Sequence, residues 1–282
     1  RCLNQPYGDV GHLLRPLAYQ THPYRWPTIG KDLSHIANAT LDEVKEFFFR
    51  FYAPNNAVLA VTGNISWEET VRLTEKWFAP IPRRNVPVRQ LPQEVVQTAE
   101  RRQTVERNAP LDALFMAYHM CDHRHPDYYV FDILSDVLSN GRSSRLNQHL
   151  VQEKQLFSSI DAYISGSVDA GLFHIAGKPS AGVSLERAEA AVRDELDRLQ
   201  QELVDGQELE KVKNKFESTQ IFGNINYLNV ATNLAWFELL GKAEDLEKEV
   251  ERYRSVTAMQ LREVAQSAFR KENGVVLYYK SK

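Results

Sequence analysis

What this 282-residue chain lacks narrows its reading first. No apolar run approaches the roughly 20 residues that a membrane-crossing helix needs, so no membrane span is expected. Cysteine is nearly absent. Cys2 and Cys121 are too few and too far apart for a disulfide framework or a cysteine zinc site. Charge of one sign is also missing: the net value is −3, which gives no electrostatic case for nucleic acid or an anionic membrane as partner. Eight histidines are present, yet neither His-x-x-Glu-His nor His-Glu-x-x-His occurs. Both patterns of paired helical zinc ligands are thereby excluded. The chain opens at Arg1-Cys-Leu-Asn without Met or lead-in, so its start is expected to be an artificial boundary, and the lack of a signal peptide carries no weight.

What is present is globular. The composition is 43% hydrophobic and 25% charged, outside the range of disordered chains, and the length suits two ordinary domains. An internal repeat organises the rest. The run Thr40 to Ala60 lays over Thr257 to Leu277 without a gap, at a constant offset of 217 residues. Thr40/Thr257, Glu46/Glu263, Asn56/Asn273 and Val58/Val275 are identical, and Val44/Leu261, Lys45/Arg262, Phe47/Val264 and Tyr52/Phe269 keep their character. Each copy would be about 200 residues, a normal domain size. The second copy starts near residue 93. By the same offset, about 120 residues of the first are expected to lie upstream, and the first segment is expected to lack part of a sheet.

Periodicity and capping signals place the elements. Thr40 with Glu43, Ser66 with Glu69 and Thr257 with Gln260 are capping boxes, opening helices over 41–52, 67–78 and 257–270. A short helix is expected over 11–19, and others over 127–139, 144–153, 184–203, 206–222 and 227–241. Strands are predicted at 57–62, 95–106, 111–120, 156–165, 170–177 and 275–280, with a hairpin turn around 166–169. Pro80, Pro82, Pro87 and Pro92, with Arg83, Arg84 and Arg89 among them, form the one convincing linker. Domains are accordingly drawn at 1–88 and 93–282. Strands and helices segregate rather than alternate, so the fold class is α+β, with a mostly antiparallel sheet and helices on one face.

Clusters with chemical content reduce to structural readings. His119, Cys121, Asp122, His123 and His125 leave a strand and enter a loop before Pro126, where four-residue histidine spacing does not gather ligands. Ser139 to Arg145 lacks the glycine spacing of a phosphate loop and reads as a helix–helix connection whose serines cap the next helix. Glu208 and Glu210 lie on a charged helix face. No serine or cysteine nucleophile sits beside a base.

Several stretches nevertheless resemble one family. Asn4-Gln-Pro-Tyr-Gly8, His22-Pro-Tyr-Arg-Trp-Pro-Thr-Ile-Gly30, Phe51-Tyr-Ala-Pro-Asn-Asn-Ala57, Val61-Thr-Gly-Asn64, Trp77-Phe-Ala-Pro-Ile-Pro82 and Leu138-Ser-Asn-Gly-Arg-Ser-Ser-Arg-Leu146 are similar to the pitrilysin (insulinase-like) zinc metallopeptidases. The similarity is greatest to bacterial members akin to mitochondrial processing peptidase. It implies a duplicated domain of antiparallel sheet plus helices, of the LuxS/processing-peptidase-like type, with the first copy truncated here. In that family the zinc and its His-x-x-Glu-His helix belong to the first copy, and the glutamate of that helix activates the metal-bound water.

By the same resemblance, residues 1–88 are the remainder of the catalytic copy and 93–282 the inactive one. Asp132, Ser135 and Asp136 stand at the places of the two histidines and the glutamate, and Glu208 or Glu210 near the third ligand. Asn140, Gly141, Arg142 and Ser143 match a glycine-containing segment of the inactive domain. Two acids and a serine make a poor zinc set, so zinc is expected in the intact parent and no cofactor in this chain. The implied function is part of a zinc-dependent metalloendopeptidase that degrades or processes peptides in a closed chamber, this part being inactive alone. The alternative is a non-catalytic partner or structural subunit of a processing-peptidase-like complex. Implied partners are a peptide or unfolded polypeptide, the N-terminal segment or a second peptidase-like subunit, and a further copy of the chain; the compartment, bacterial cytoplasm or periplasm, is left open.

Overall fold

The computed structural model describes residues 5–88, 90–166 and 168–282; Cys2, Asn4, Arg89 and position 167, used above, lie outside them. The described chain divides into two compact units, one of residues 1–28, 92–216 and 251–282, the other of 29–91 and 217–250.

Helices α1 (Val10–Ala18), α2 (Leu33–Ala37), α3 (Leu41–Phe51), α4 (Trp67–Phe78), α5 (Asp127–Ser139), α6 (Leu185–Gln201), α7 (Gly206–Gly223), α8 (Tyr227–Leu240), α9 (Glu249–Ser255) and α10 (Ala258–Ala268) accompany strands β1 (Arg101–Arg107), β2 (Ala113–His119), β3 (Phe157–Ser165), β4 (Leu172–Pro179) and β5 (Gly274–Ser281). The first unit is an α+β domain whose sheet runs β1-β5-β2-β4-β3. All its pairings are antiparallel except β1 with β5, which is parallel. The last strand of the chain therefore sits inside the sheet, and its residues Gly274 to Tyr279 are buried as a continuous run, as a strand covered on both faces should be.

One face of the sheet carries the main core. Leu114, Met116, Tyr118, Ile160, Ala162, Phe173, Ile175 and Val276 pack under Ile133, Leu134 and Val137 of α5, Val192 and Leu196 of α6, and Leu261 and Ala265 of α10. The opposite face is covered too. Leu14 and Ala18 of α1, with Tyr19, pack on Val105, Ala113, Ala117, Val275 and Leu277. Helices are therefore not confined to one side. Tyr19 pins its end of the segment by donating its hydroxyl to the Ala170 carbonyl at 3.0 Å.

The repeat is visible residue by residue. α3 and α10 are 11-residue helices with the same boundaries after the offset, each opened by a complete capping box, Thr40/Glu43 and Thr257/Gln260. Each is followed by a short 3₁₀ turn, Pro54–Asn56 and Lys271–Asn273. The Asn56 side-chain amide donates to the Phe51 carbonyl at 2.8 Å, and Asn273 donates to Ala268 at 2.8 Å. Both asparagines thus satisfy a carbonyl that a helix end leaves open. At Ser66 only half the box forms: its hydroxyl accepts from the Glu69 amide.

Here the copies part. After Asn273 the chain becomes β5, where Val275 to Tyr278 pairs with Arg101 to Thr104 on one side and Leu114 to Ala117 on the other. The predicted strand 57–62 belongs to no ladder. A strand exists only through its neighbours, and the second unit offers none among its described residues. Val58, Leu59 and Val61 are exposed in consequence. Further differences are local. The strand predicted at 95–106 is regular only from Arg101, and the helix at 144–153 is a π-helix, Leu146–Glu153.

Candidate functional site

Helix α5 begins after Pro126, whose ring and missing N–H suit a helix start, and it is apolar nearly all round. Tyr129, Val130, Phe131, Ile133, Leu134, Val137 and Leu138 are buried. The polar positions Asp132, Ser135, Asp136 and Ser139 fall on one stripe at helical spacing. Together with Asn140, Asp161 to Ile164 of β3 and Ala176 of β4, that stripe lines a groove of about 530 Å³. Four of the sequence-predicted residues, Asp132, Ser135, Asp136 and Asn140, are thus brought together.

Each is already engaged. Asp132 Oδ2 accepts the Tyr253 hydroxyl at 2.5 Å. Burial pushes the Asp132 carboxyl up to about 6, the Tyr253 hydrogen bond holds it back, and the neighbouring Asp136 charge raises it again. Burial likewise raises Asp136, opposed by the Asn140 amide, which donates at 2.7 Å, and by the charge of Lys215. Ser135 donates its hydroxyl to the Asp132 carbonyl one turn back, at 2.9 Å. Ser139 reaches across to donate to the Ala162 carbonyl on β3 at 2.7 Å.

Glu208 and Glu210 do not line the groove. Glu208 is locked in a two-pronged ion pair with Arg145, at 3.0 and 2.7 Å, with both side chains mostly buried. Glu210 is exposed and meets Arg254 at 3.1 Å. Asn140, Gly141, Arg142 and Ser143 form a tight turn. Gly141 sits at φ 101°, a left-handed backbone where a side chain is strained. Lys215 Nζ donates to Asn140 Oδ1 and Lys211 Nζ to Ser143 Oγ, so two lysines of α7 hold the turn. No serine caps the π-helix. The Ser144 hydroxyl donates instead to the Gly141 carbonyl at 2.6 Å.

This donor set does not fit zinc. It has no imidazole, one carboxylate is occupied by a phenol and raised by burial, another by an amide, and Glu208 belongs to an arginine. Among the described residues no group of three or more His, Cys, Asp or Glu is arranged to hold a metal. The stretch His119 to His125 is spread accordingly. His119 ends β2 and packs edge-on to Tyr19, whereas His125 is half exposed beside Asp127.

Sequence reasoning missed Tyr253, Asp161 and Lys215. Tyr253 lies 121 residues from Asp132, on the short helix α9 that periodicity did not single out. An isolated aromatic in a charged run carries no signal of a distant partner.

Residues 38–216 match the family model of the peptidase M16 inactive domain. The chain is similar to the zinc protease PqqE of Helicobacter pylori, with 27% identity over 215 residues covering 74% of this chain and 48% of that protein. It is also similar to the uncharacterized zinc protease YmxG of Bacillus subtilis, with 23% identity over 272 residues covering 95% of this chain and 65% of that protein. The chain therefore spans about half to two thirds of the length of these relatives. Its fold superimposes on the crystal structure of a protease from Helicobacter pylori with a TM-score of 0.90 at 24% identity, covering 99% of this chain and 68% of that one.

Proposed function

Because the chain belongs to the peptidase M16 inactive-domain family, we propose that it is the non-catalytic, peptide-holding portion of a zinc metalloendopeptidase. On this reading residues 1–88 belong to the copy that carries catalysis in the family and 93–282 form the inactive copy. Asp132, Ser135 and Asp136 are the counterparts of the two histidines and the glutamate, Glu208 or Glu210 that of the third ligand, and Asn140 to Ser143 the glycine-containing segment. The zinc of the whole protein is held by residues other than these, and the two copies close over an unfolded peptide.

The observation that carries the reading is the Tyr253–Asp132 hydrogen bond. A buried carboxyl at the first ligand position is committed to a phenol of its own domain, so the stripe that would face a metal is built as a wall of a groove. On this reading the stripe is a structural wall and does not hold the ion that activates water in the family. Incubating the purified chain with an unfolded polypeptide, with and without a chelator, tests this. No chelator-sensitive cleavage is expected; specific cleavage that the chelator abolishes would overturn the reading.

A further inference from the structure

Tyr118 of β2 is 1% exposed, and its hydroxyl meets no hydrogen-bond partner among the described residues. The ring is held firmly. Phe269 meets it edge-on with centroids 5.3 Å apart, and a Cβ at Gly274, its partner on β5, would come 3.2 Å from its Cε1. A buried donor without a partner is costly, so it marks a place that a partner can fill. Tyr118 lines a cavity of about 200 Å³ that shares no residue with the groove of α5. Burial raises its hydroxyl well above the ordinary phenol range, opposed by the charge of Arg193 and reinforced by Glu100, Glu189 and Asp197. The group therefore keeps its proton and can donate it.

Leu196 and Phe269, both buried, supply the apolar walls of the cavity, and Arg193, Asp197 and Lys271 the charged ones. Arg193 and Asp197 lie one turn apart on α6. Arg193 donates Nε to Glu189 at 2.8 Å and Nη2 to Glu100, which leaves Nη1 for another acceptor. Arg102 closes this network, meeting Glu100 at 2.7 Å and Glu189 at 2.6 Å. Asp197 takes the Gln200 amide on Oδ1 at 2.9 Å, and Lys271 is exposed. At and behind the walls, Arg102, Arg193 and Lys271 thus balance Glu100, Glu189 and Asp197. A net anion would be opposed by the carboxylates and a net cation by the cations; a molecule carrying one charge of each sign is opposed by neither. The cavity holds roughly six or seven waters at about 30 Å³ each, which suits a free amino acid and is too small for a peptide.

We propose that this cavity binds a small zwitterion, a free amino acid. Its carboxylate is received by the Tyr118 hydroxyl, Arg193 and Lys271, its ammonium by Asp197, and its side chain by Leu196 and Phe269. The site stands apart from the peptide-holding function and does not depend on it.

L-valine, valinamide and N-acetylvaline share a side chain and present a zwitterion, a cation and an anion. Each is titrated into the 282-residue chain, with binding read by saturation-transfer NMR. Valine is expected to bind at roughly millimolar Kd, about tenfold tighter than either derivative. Lys271→Ala should erase its advantage over valinamide, and Asp197→Asn its advantage over N-acetylvaline; both positions are exposed, so the fold is kept. Tyr118→Phe should weaken valine binding about tenfold without lowering the melting temperature. Equal binding of the three probes overturns the proposal, as does valine binding that Tyr118→Phe leaves unchanged in a folded variant. Valine binding weaker than roughly 20 mM also overturns it and assigns the cavity to water alone.

Discussion

The Tyr253 hydroxyl lies 2.5 Å from the Asp132 carboxylate, joining α9 to the one polar stripe of α5. The phenol is itself stacked on Phe216, with ring centroids 3.4 Å apart, and packs edge-on to Tyr129. Asp132 is therefore fixed by a packed aromatic cluster.

That environment makes Asp132 a pH-dependent burden. Its folded-state pKa of about 6 lies above the ordinary 3.8, so the folded chain keeps a proton that the unfolded chain gives up. Stability is greatest below about pH 4 for this group and is lost as pH rises toward 6 and beyond. Asp132→Asn keeps an acceptor for Tyr253 and removes the charge. The variant should gain roughly 2 kcal/mol over the parent at pH 8 and little at pH 4, measured by urea denaturation at the two pH values.

Glu208 should prove structural. Arg145 and Glu208 are both mostly buried, so Glu208→Ala strands a desolvated guanidinium and is expected to cost about 3 kcal/mol. Glu210→Ala, at an exposed pair, should cost less than about 0.5 kcal/mol. Equal effects in thermal unfolding would contradict the distinction.

The two copies of the asparagine turn predict unequal losses. Asn273 bridges the Ala268 and His119 carbonyls inside the first unit, at 2.8 and 3.0 Å, whereas Asn56 serves Phe51 at an exposed position. Asn273→Ala should cost about 2 kcal/mol and Asn56→Ala about 0.5 kcal/mol, compared by denaturant titration.

At Gly177 on β4, an added Cβ would come within 2.5 Å of the Phe157 ring and 3.3 Å of Ile160. Gly177→Ala must push the edge strand outward. A loss of about 2 kcal/mol is expected, with faster exchange of β3 amides; an unchanged melting temperature would contradict this packing.

Exposed apolar surface on the second unit should be sticky. Leu59, Val61, Ile65 and Trp67 border a groove of about 590 Å³, and Ala53 and Phe237 are the buried apolar residues among those described in that unit. Light scattering should show concentration-dependent self-association that Leu59→Lys reduces. A clean monomer at high concentration would contradict it.

Local signals in the sequence carried well. Thr40 and Thr257 do in space what their spacing implied, and Asn56 and Asn273, matched in the repeat, play matching roles, because capping and helix closure involve residues a few positions apart. Pairing is a different matter. Val58 to Val61 and Val275 to Tyr278 have the same strand character, yet only the latter finds neighbours, and nothing local to either segment encodes that. The parallel insertion of β5 between β1 and β2 is likewise set by long-range packing. At the site, Asp132, Ser135 and Asp136 were singled out through the family resemblance alone, and Ser139, read as the start of a connection, joins them on one stripe of α5. The groove was not legible, since it depends on β3 being the edge and on Tyr253 arriving from α9.

Asp132, Ser135, Asp136, Glu208 and Glu210 should hold no catalytic zinc. Metal analysis after saturation with zinc and exhaustive dialysis tests it most directly. Well under a tenth of an equivalent of zinc per chain is expected (on the order of background for carboxylate sites without imidazole). One tightly held zinc per chain, released only by a chelator, would contradict it.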